Sequence, residues 1–177
     1  VMGSVSASVV SHASCPVVVV REDNHVTEST KYGPVVVGVD GSEVSQKATA
    51  YAFREAQARG AALIAVHTWM DMQVQASLAG LSAAQSEWAD IEKEQSELLA
   101  ENLKEPREEY PDVEVKQLIT RDRPVSALTE AAEGAQLLVV GSHGRGGFKG
   151  MLLGSTSRAL LQSAPCPMMV VRPDEDN

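Results

Sequence analysis

Apolar residues fall along this chain in short runs that alternate with segments of helical spacing. Pro34 to Val39, PVVVGV, is a β-branched run that stops at Asp40-Gly41-Ser42, as a strand buried on both faces does. A helix follows: Ala48, Tyr51, Ala52, Glu55 and Ala56 share one face, Ser42 or Ser45 caps its start and Gly60 ends it. Ala62–Thr68 is the second strand, residues 69–84 read as loop, and a long helix is expected over 82–109. Leu81, Ala84, Trp88, Ile91, Leu98 and Leu103 form its apolar stripe, and nine acidic residues between Glu87 and Glu109 fill its outer face. Val113–Thr120 alternates as the third strand, and Pro124 opens a helix that Gly134 closes. Leu137–Val140 is the fourth strand, Ser155–Ser163 the last helix and Met168–Arg172 the fifth strand. The alternation predicts an α/β fold: a five-stranded, parallel, doubly wound sheet of order 3-2-1-4-5 with four or more helices. In that order the chain reverses between strands one and four, where open α/β sheets bind their ligands.

The first residues repeat the last. Residues 3–21, GSVSASVVSHASCPVVVVR, match residues 154–172, GSTSRALLQSAPCPMMVVR, at nine of nineteen positions without a gap, at an offset of 151. The second copy closes a domain, so the first is expected to be the last helix and strand of a preceding domain of the same kind. Residues 22–33 are then a polar linker, residues 34–172 a complete domain and residues 173–177 an acidic tail. The other reading is an extra N-terminal αβ unit on a single domain. An orphan VVVV strand would be an aggregation-prone edge, so Val17–Arg21 is expected antiparallel to Met168–Arg172, within the chain or across a homodimer.

Composition narrows the partners. The 177 residues are 44% hydrophobic and 22% charged, with a formal charge of −9, which argues against a nucleic-acid or anionic-membrane surface. No apolar run reaches a membrane span and no signal-peptide pattern is present, so a cytoplasmic location is expected. Cys15 and Cys166 each precede a proline and an apolar run and read as reduced structural thiols. His25 reads as solvated and His67 as a packed core residue. The acidic helix face reads as solvated surface, and neither a metal site nor a catalytic set stands out.

The chemistry concentrates after the fourth strand. LLVV ends in Gly141-Ser-His-Gly144, and nine residues later Gly154-Ser155-Thr156-Ser157 opens a helix. Glycines let the main chain turn and approach a ligand, and the free N–H groups of a helix start attract anions. The pattern is neither a P-loop, which needs Lys-Ser or Lys-Thr after its glycines, nor a dinucleotide fingerprint. The spacing G-x2-G-x9-G-S, within GSHGRGGFKGMLLGSTS, resembles the nucleotide-binding motif of the universal stress proteins, specifically their ATP-binding class.

That resemblance covers residues 34–172 as a domain and 1–21 as a fragment. It implies an adenine nucleotide alpha-hydrolase-like, Rossmann-like sheet and an ATP-binding regulator of stress responses. It also implies a nucleotide held by Gly38, Val39, Asp40, Thr68, Gly141, Gly144, Arg145, Gly154, Ser155 and Thr156. Asp40, at the end of the first strand, would face a sugar hydroxyl or base edge; on spacing alone it would only satisfy turn amides. Thr68 would offer main-chain groups to adenine. Arg145 and Lys149 would offset phosphate charge, and Arg121 and Arg123 stand as further cations. Asp122 occupies a place where the family usually has glycine. A divalent ion, Mg2+, is expected to travel with the phosphates, and ATP hydrolysis to be slow at most, since no base or arginine finger is identifiable. His143 reads as a surface or supporting histidine. Two alternatives remain: a dimer-forming structural module with an empty pocket, and a genuine ATPase.

Overall fold

The computed structural model describes residues 3–25, 27–69, 85–145 and 152–174, and among these the chain forms six strands and six helices. In chain order they are α1 (Ser4–His12), β1 (Val17–Val19), α2 (Glu28–Lys31), β2 (Val35–Gly38), α3 (Glu43–Arg59), β3 (Leu63–Thr68), α4 (Gln85–Glu109), β4 (Val115–Thr120), α5 (Pro124–Ala131), β5 (Leu137–Gly141), α6 (Ser155–Ser163) and β6 (Met168–Val171). The expected start of the long helix at 82–84 and the apolar positions Leu81 and Ala84 lie outside the described residues, as does the side chain of Trp88.

The sheet runs β1-β6-β5-β2-β3-β4. Taken from β2 onward, the five strands of the main domain are parallel and carry the order 3-2-1-4-5. The expected count of five is corrected to six, with one antiparallel pair. The N-terminal VVV run adds to the exposed edge of β6, with Val17 opposite Val170, Val18 opposite Met169 and Val19 opposite Met168. An edge with unpaired N–H and C=O groups recruits any available strand, and here it finds one within the chain.

The strands are β-branched because both faces are covered. On β2, Val36 enters one core cluster with Val66, Leu128, Leu138, Leu160 and Val10. Its neighbours Val35 and Val37 enter the other, with Phe53, Leu63, Leu99, Leu103 and Val139. α3 supplies the second layer through Val44, Ala48, Ala52, Phe53 and Ala56, spaced for one helical face. Ser42 caps it by accepting from the Ser45 N–H at 3.2 Å, and Gly60 ends it at φ 59°, a left-handed cap that glycine adopts without strain.

The polar segment before β2 is not featureless. Thr27 and Thr30 form a capping box for the one-turn α2. Gly33 is then pressed on the far turn so closely that a Cβ would lie 1.9 Å from the Gly134 carbonyl oxygen. The two cysteines differ: Cys15 is exposed and Cys166 buried, both as free thiols. A structural role for Cys15 is therefore corrected, while burial pushes the Cys166 thiol up to about 11.

Candidate functional site

The crevice is built where β2 and β5, adjacent and parallel, send their chains to different helices. β2 leads into the turn Val39–Ser42. Asp40 accepts from the Ser42 N–H through Oδ1 at 2.9 Å, and its own N–H donates to Ser45 Oγ at 3.0 Å. Gly41 lies at φ 80°, a conformation that any side chain would strain.

β5 leads into the glycine loop. The Ser142 N–H donates to the Val171 carbonyl at 2.7 Å, and the Gly154 N–H donates to the Ser142 carbonyl at 2.7 Å, closing the loop on itself. Ser157, from the first turn of α6, donates to the Gly141 carbonyl at 2.6 Å. Gly141 has no room for a side chain: a Cβ would lie 2.9 Å from Val44 Cγ1. At Gly154 it would lie 3.1 Å from His143 Cα. The N-cap of α6 is Gly154, which has no side chain to cap the helix, so among the described residues the N–H groups of its first turn keep their capacity for an acceptor and the positive end of the helix dipole.

The two walls meet at Asp40. Its Oδ2 accepts from the Arg145 N–H at 3.2 Å, and a Cβ on Gly144 would lie 2.5 Å from the same oxygen. The Arg145 guanidinium folds over Gly41, within 2.8 Å of where a Cβ would stand. Asp40 thus performs the turn-amide role that spacing alone suggested. A carboxylate has about four acceptor sites, so these two bonds leave capacity for a hydroxyl.

The structure therefore brings Asp40 to Gly144 and Arg145, and Gly154 to the residues that follow Gly141, with Ser155 and Thr156 next in the first turn of α6. Gly38 faces elsewhere, its missing side chain filled by Leu128 Cδ1, 3.3 Å from the would-be Cβ. Both main-chain groups of Val39 are engaged, the N–H by the Val66 carbonyl and the carbonyl by His67 Nδ1 at 2.7 Å. Thr68 ends β3 opposite Thr120, one strand away from β2. Lys149 lies outside the described residues. Arg121 stacks on Trp69 at 5.2 Å, and Arg123 precedes α5 as its N-terminal flank. In the same turn, a hydrogen bond from Ser126 and another from the Arg123 N–H hold the Asp122 carboxyl below its usual range.

Sequence reading missed three contributors: Ser157, buried Ser142 and Val44. Serines followed the glycines in plain view, but which hydroxyl turns back toward the strand depends on loop closure.

A doubly wound sheet with glycine turns at its switch point defines a Rossmann-like α/β protein. The universal stress protein family model matches residues 31–172, and the chain belongs to that family. Universal stress protein Rv2005c of Mycobacterium tuberculosis is 48% identical over 171 residues, 97% of this chain and 56% of that protein. The chain thus spans just over half the length of that relative. A universal stress protein solved in complex with cAMP superposes with a TM-score of 0.54 at 27% identity, covering 79% of this chain and 96% of the other. One from Archaeoglobus fulgidus, in complex with dAMP, gives 0.57 at 23% identity over 79% and 98%.

Proposed function

We propose that this chain binds ATP in the β2–β5 crevice and acts as a nucleotide-dependent regulator in the stress response. The carrying observation is the contact of Asp40 with Gly144 and Arg145, which joins the turn after β2 to the glycine loop after β5, the loop that closes on Gly154, the N-cap of α6. Main-chain N–H groups around Gly144, Gly154 and Ser155, with the hydroxyls of Ser155 and Thr156, hold the phosphates, while Arg145 offsets part of their charge. Asp40 takes the sugar side. The adenine nucleotides named for two structural neighbours support this ligand class. Mg2+ would travel with the nucleotide and offset part of the phosphate charge; among the described residues no group of three or more His, Cys, Asp or Glu could hold an ion by itself. Hydrolysis is slow at most, since among the described residues no positioned base or arginine finger is identifiable; His143 meets buried Ser142 Oγ through Nδ1 at 3.1 Å.

The organisation follows from the repeat. Residues 1–21 are the last helix and strand of a preceding domain, 22–33 its linker and 34–172 a complete domain. The β1–β6 pair supports a second reading, a pairing module that works without nucleotide. Mass spectrometry of ligand released from freshly purified protein separates the two, backed by calorimetry with Mg-ATP and by Asp40→Ala and Gly144→Ala. Co-purified ATP or ADP that both variants lose supports the nucleotide reading. An empty protein that binds no Mg-ATP leaves the pairing module.

A further inference from the structure

The β1–β6 pair has little in its side chains to fix its register. β1 continues as Val17-Val18-Val19-Val20 and β6 reads Met168-Met169-Val170-Val171. The slip of two residues that sets Val18 opposite Val171 keeps every side chain on its face and replaces aliphatic contacts by aliphatic ones, so the apolar pattern does not exclude it; the opposite slip meets Pro167, which has no N–H to give. Yet the alignment is a particular one. With the repeat offset of 151, Val18 and Met169 are counterparts, and they stand opposite each other. Val17 and Val19 face the counterparts of each other, so the two copies are related by a local two-fold axis through the 18–169 pair.

Counterpart arginines stand just past this pair and reach across it. Arg172 donates through Nη1 to the Ala13 carbonyl at 3.2 Å, at the end of α1. Arg21 donates through Nη1 to the Gln162 carbonyl, in the last turn of α6. Each guanidinium therefore sits at the negative end of the other copy's helix, where unpaired carbonyls and the helix dipole favour a cation. α6 has no basic residue of its own in its last turn; Arg21 supplies it. Asn24 adds to the Arg21 end, accepting from the Arg21 N–H at 2.9 Å and donating to the Ala164 carbonyl at 3.4 Å. A two-residue slip moves the strands by roughly 7 Å and carries both arginines away from their carbonyls at once.

We propose that Arg21 and Arg172 form a reciprocal lock that sets the register of the β1–β6 pair. Only a strand that ends in arginine, following a helix with open last-turn carbonyls, satisfies both halves. Stability alone is a poor readout, because Arg172 Nε is buried without a partner among the described residues; alanine there removes an unsatisfied donor together with the bond.

Register is measured directly by disulfide trapping in a Cys15→Ser, Cys166→Ala background. The pair Val18→Cys/Met169→Cys reports the observed alignment. Val18→Cys/Val171→Cys and Val18→Cys/Pro167→Cys report two-residue slips in either direction. With both arginines present only the first pair should trap. With Arg21→Ala and Arg172→Ala, at least one displaced pair should rise to a tenth or more of the trapped population. A trapping pattern unchanged by the double substitution overturns the proposal, even if the melting temperature falls, since the arginines are then helix caps and nothing more. Should the double variant fail to fold, Arg21→Ala alone carries the same test on a partly exposed side chain.

Discussion

Asp40 and Gly144 approach each other across the crevice so closely that a single methyl group on Gly144 would stand 2.5 Å from the Asp40 carboxylate. The contact comes from two strands adjacent in the sheet and a hundred residues apart in the chain. Gly144→Ala must therefore push the carboxylate or the loop aside. Nucleotide affinity should fall about tenfold or more, roughly 1.4 kcal/mol, while far-ultraviolet circular dichroism stays unchanged. Calorimetry with Mg-ATP on both proteins checks this, and equal affinities would remove Gly144 from the site.

Ser157→Ala deletes the hydrogen bond that ties the first turn of α6 to the Gly141 carbonyl. Losing this part-buried hydrogen bond costs about 0.5–1.5 kcal/mol, which for a domain of this size corresponds to a fall of about 2–4 °C in Tm per kcal/mol. Calorimetric melting of the variant measures it. Thr at the same position keeps the hydroxyl and should recover part of the loss.

The two thiols should react on different timescales. Cys15 is exposed, and iodoacetamide should label it in the native protein; Cys166 should label only after unfolding. Because the folded-state value is raised from 9.0 to about 11, the Cys166 contribution to stability is complete below pH 9. It is lost as pH rises towards 11, where the unfolded chain ionises first. Cys166→Ala should flatten that alkaline decline. Denaturant melts between pH 8 and 11 distinguish the two proteins.

Removing residues 1–21 uncovers the β6 edge that β1 now pairs. The shortened chain should self-associate through that edge or lose solubility, and sedimentation velocity should show a concentration-dependent shift absent from the full chain. Identical sedimentation of the two would mean that the edge is protected in some other way.

Strand order was legible because β-branched runs alternate with helical spacing and because handedness leaves few ways to wind them. The antiparallel partner of Met168–Arg172 was legible too, from the repeat, but not its place as a sixth strand of the same sheet. The glycine loop was found by spacing, since Gly141, Gly144 and Gly154 each stand where a side chain would meet a close neighbour. What escaped were contacts that only folding creates: Val44 against Gly141, Ser157 bonded back to a strand carbonyl, and Leu128 in the space left by Gly38. Asp40 shows the limit most clearly. Its position predicted a site and its bond to the Ser42 amide is local, but its bond to the Arg145 amide depends on a loop more than a hundred residues later.

His67 gives the crevice an internal reporter. Its Nδ1–H is donated to the Val39 carbonyl, one residue before Asp40, while Nε2 meets the side-chain amide of Gln95 on α4 at 2.9 Å. Imidazole and amide are both buried, so that ring proton is shielded from solvent exchange and should give a resolved downfield resonance. Ligand that shifts the β2–α3 turn would move this line, turning a core histidine into a spectroscopic gauge of the site with no label attached.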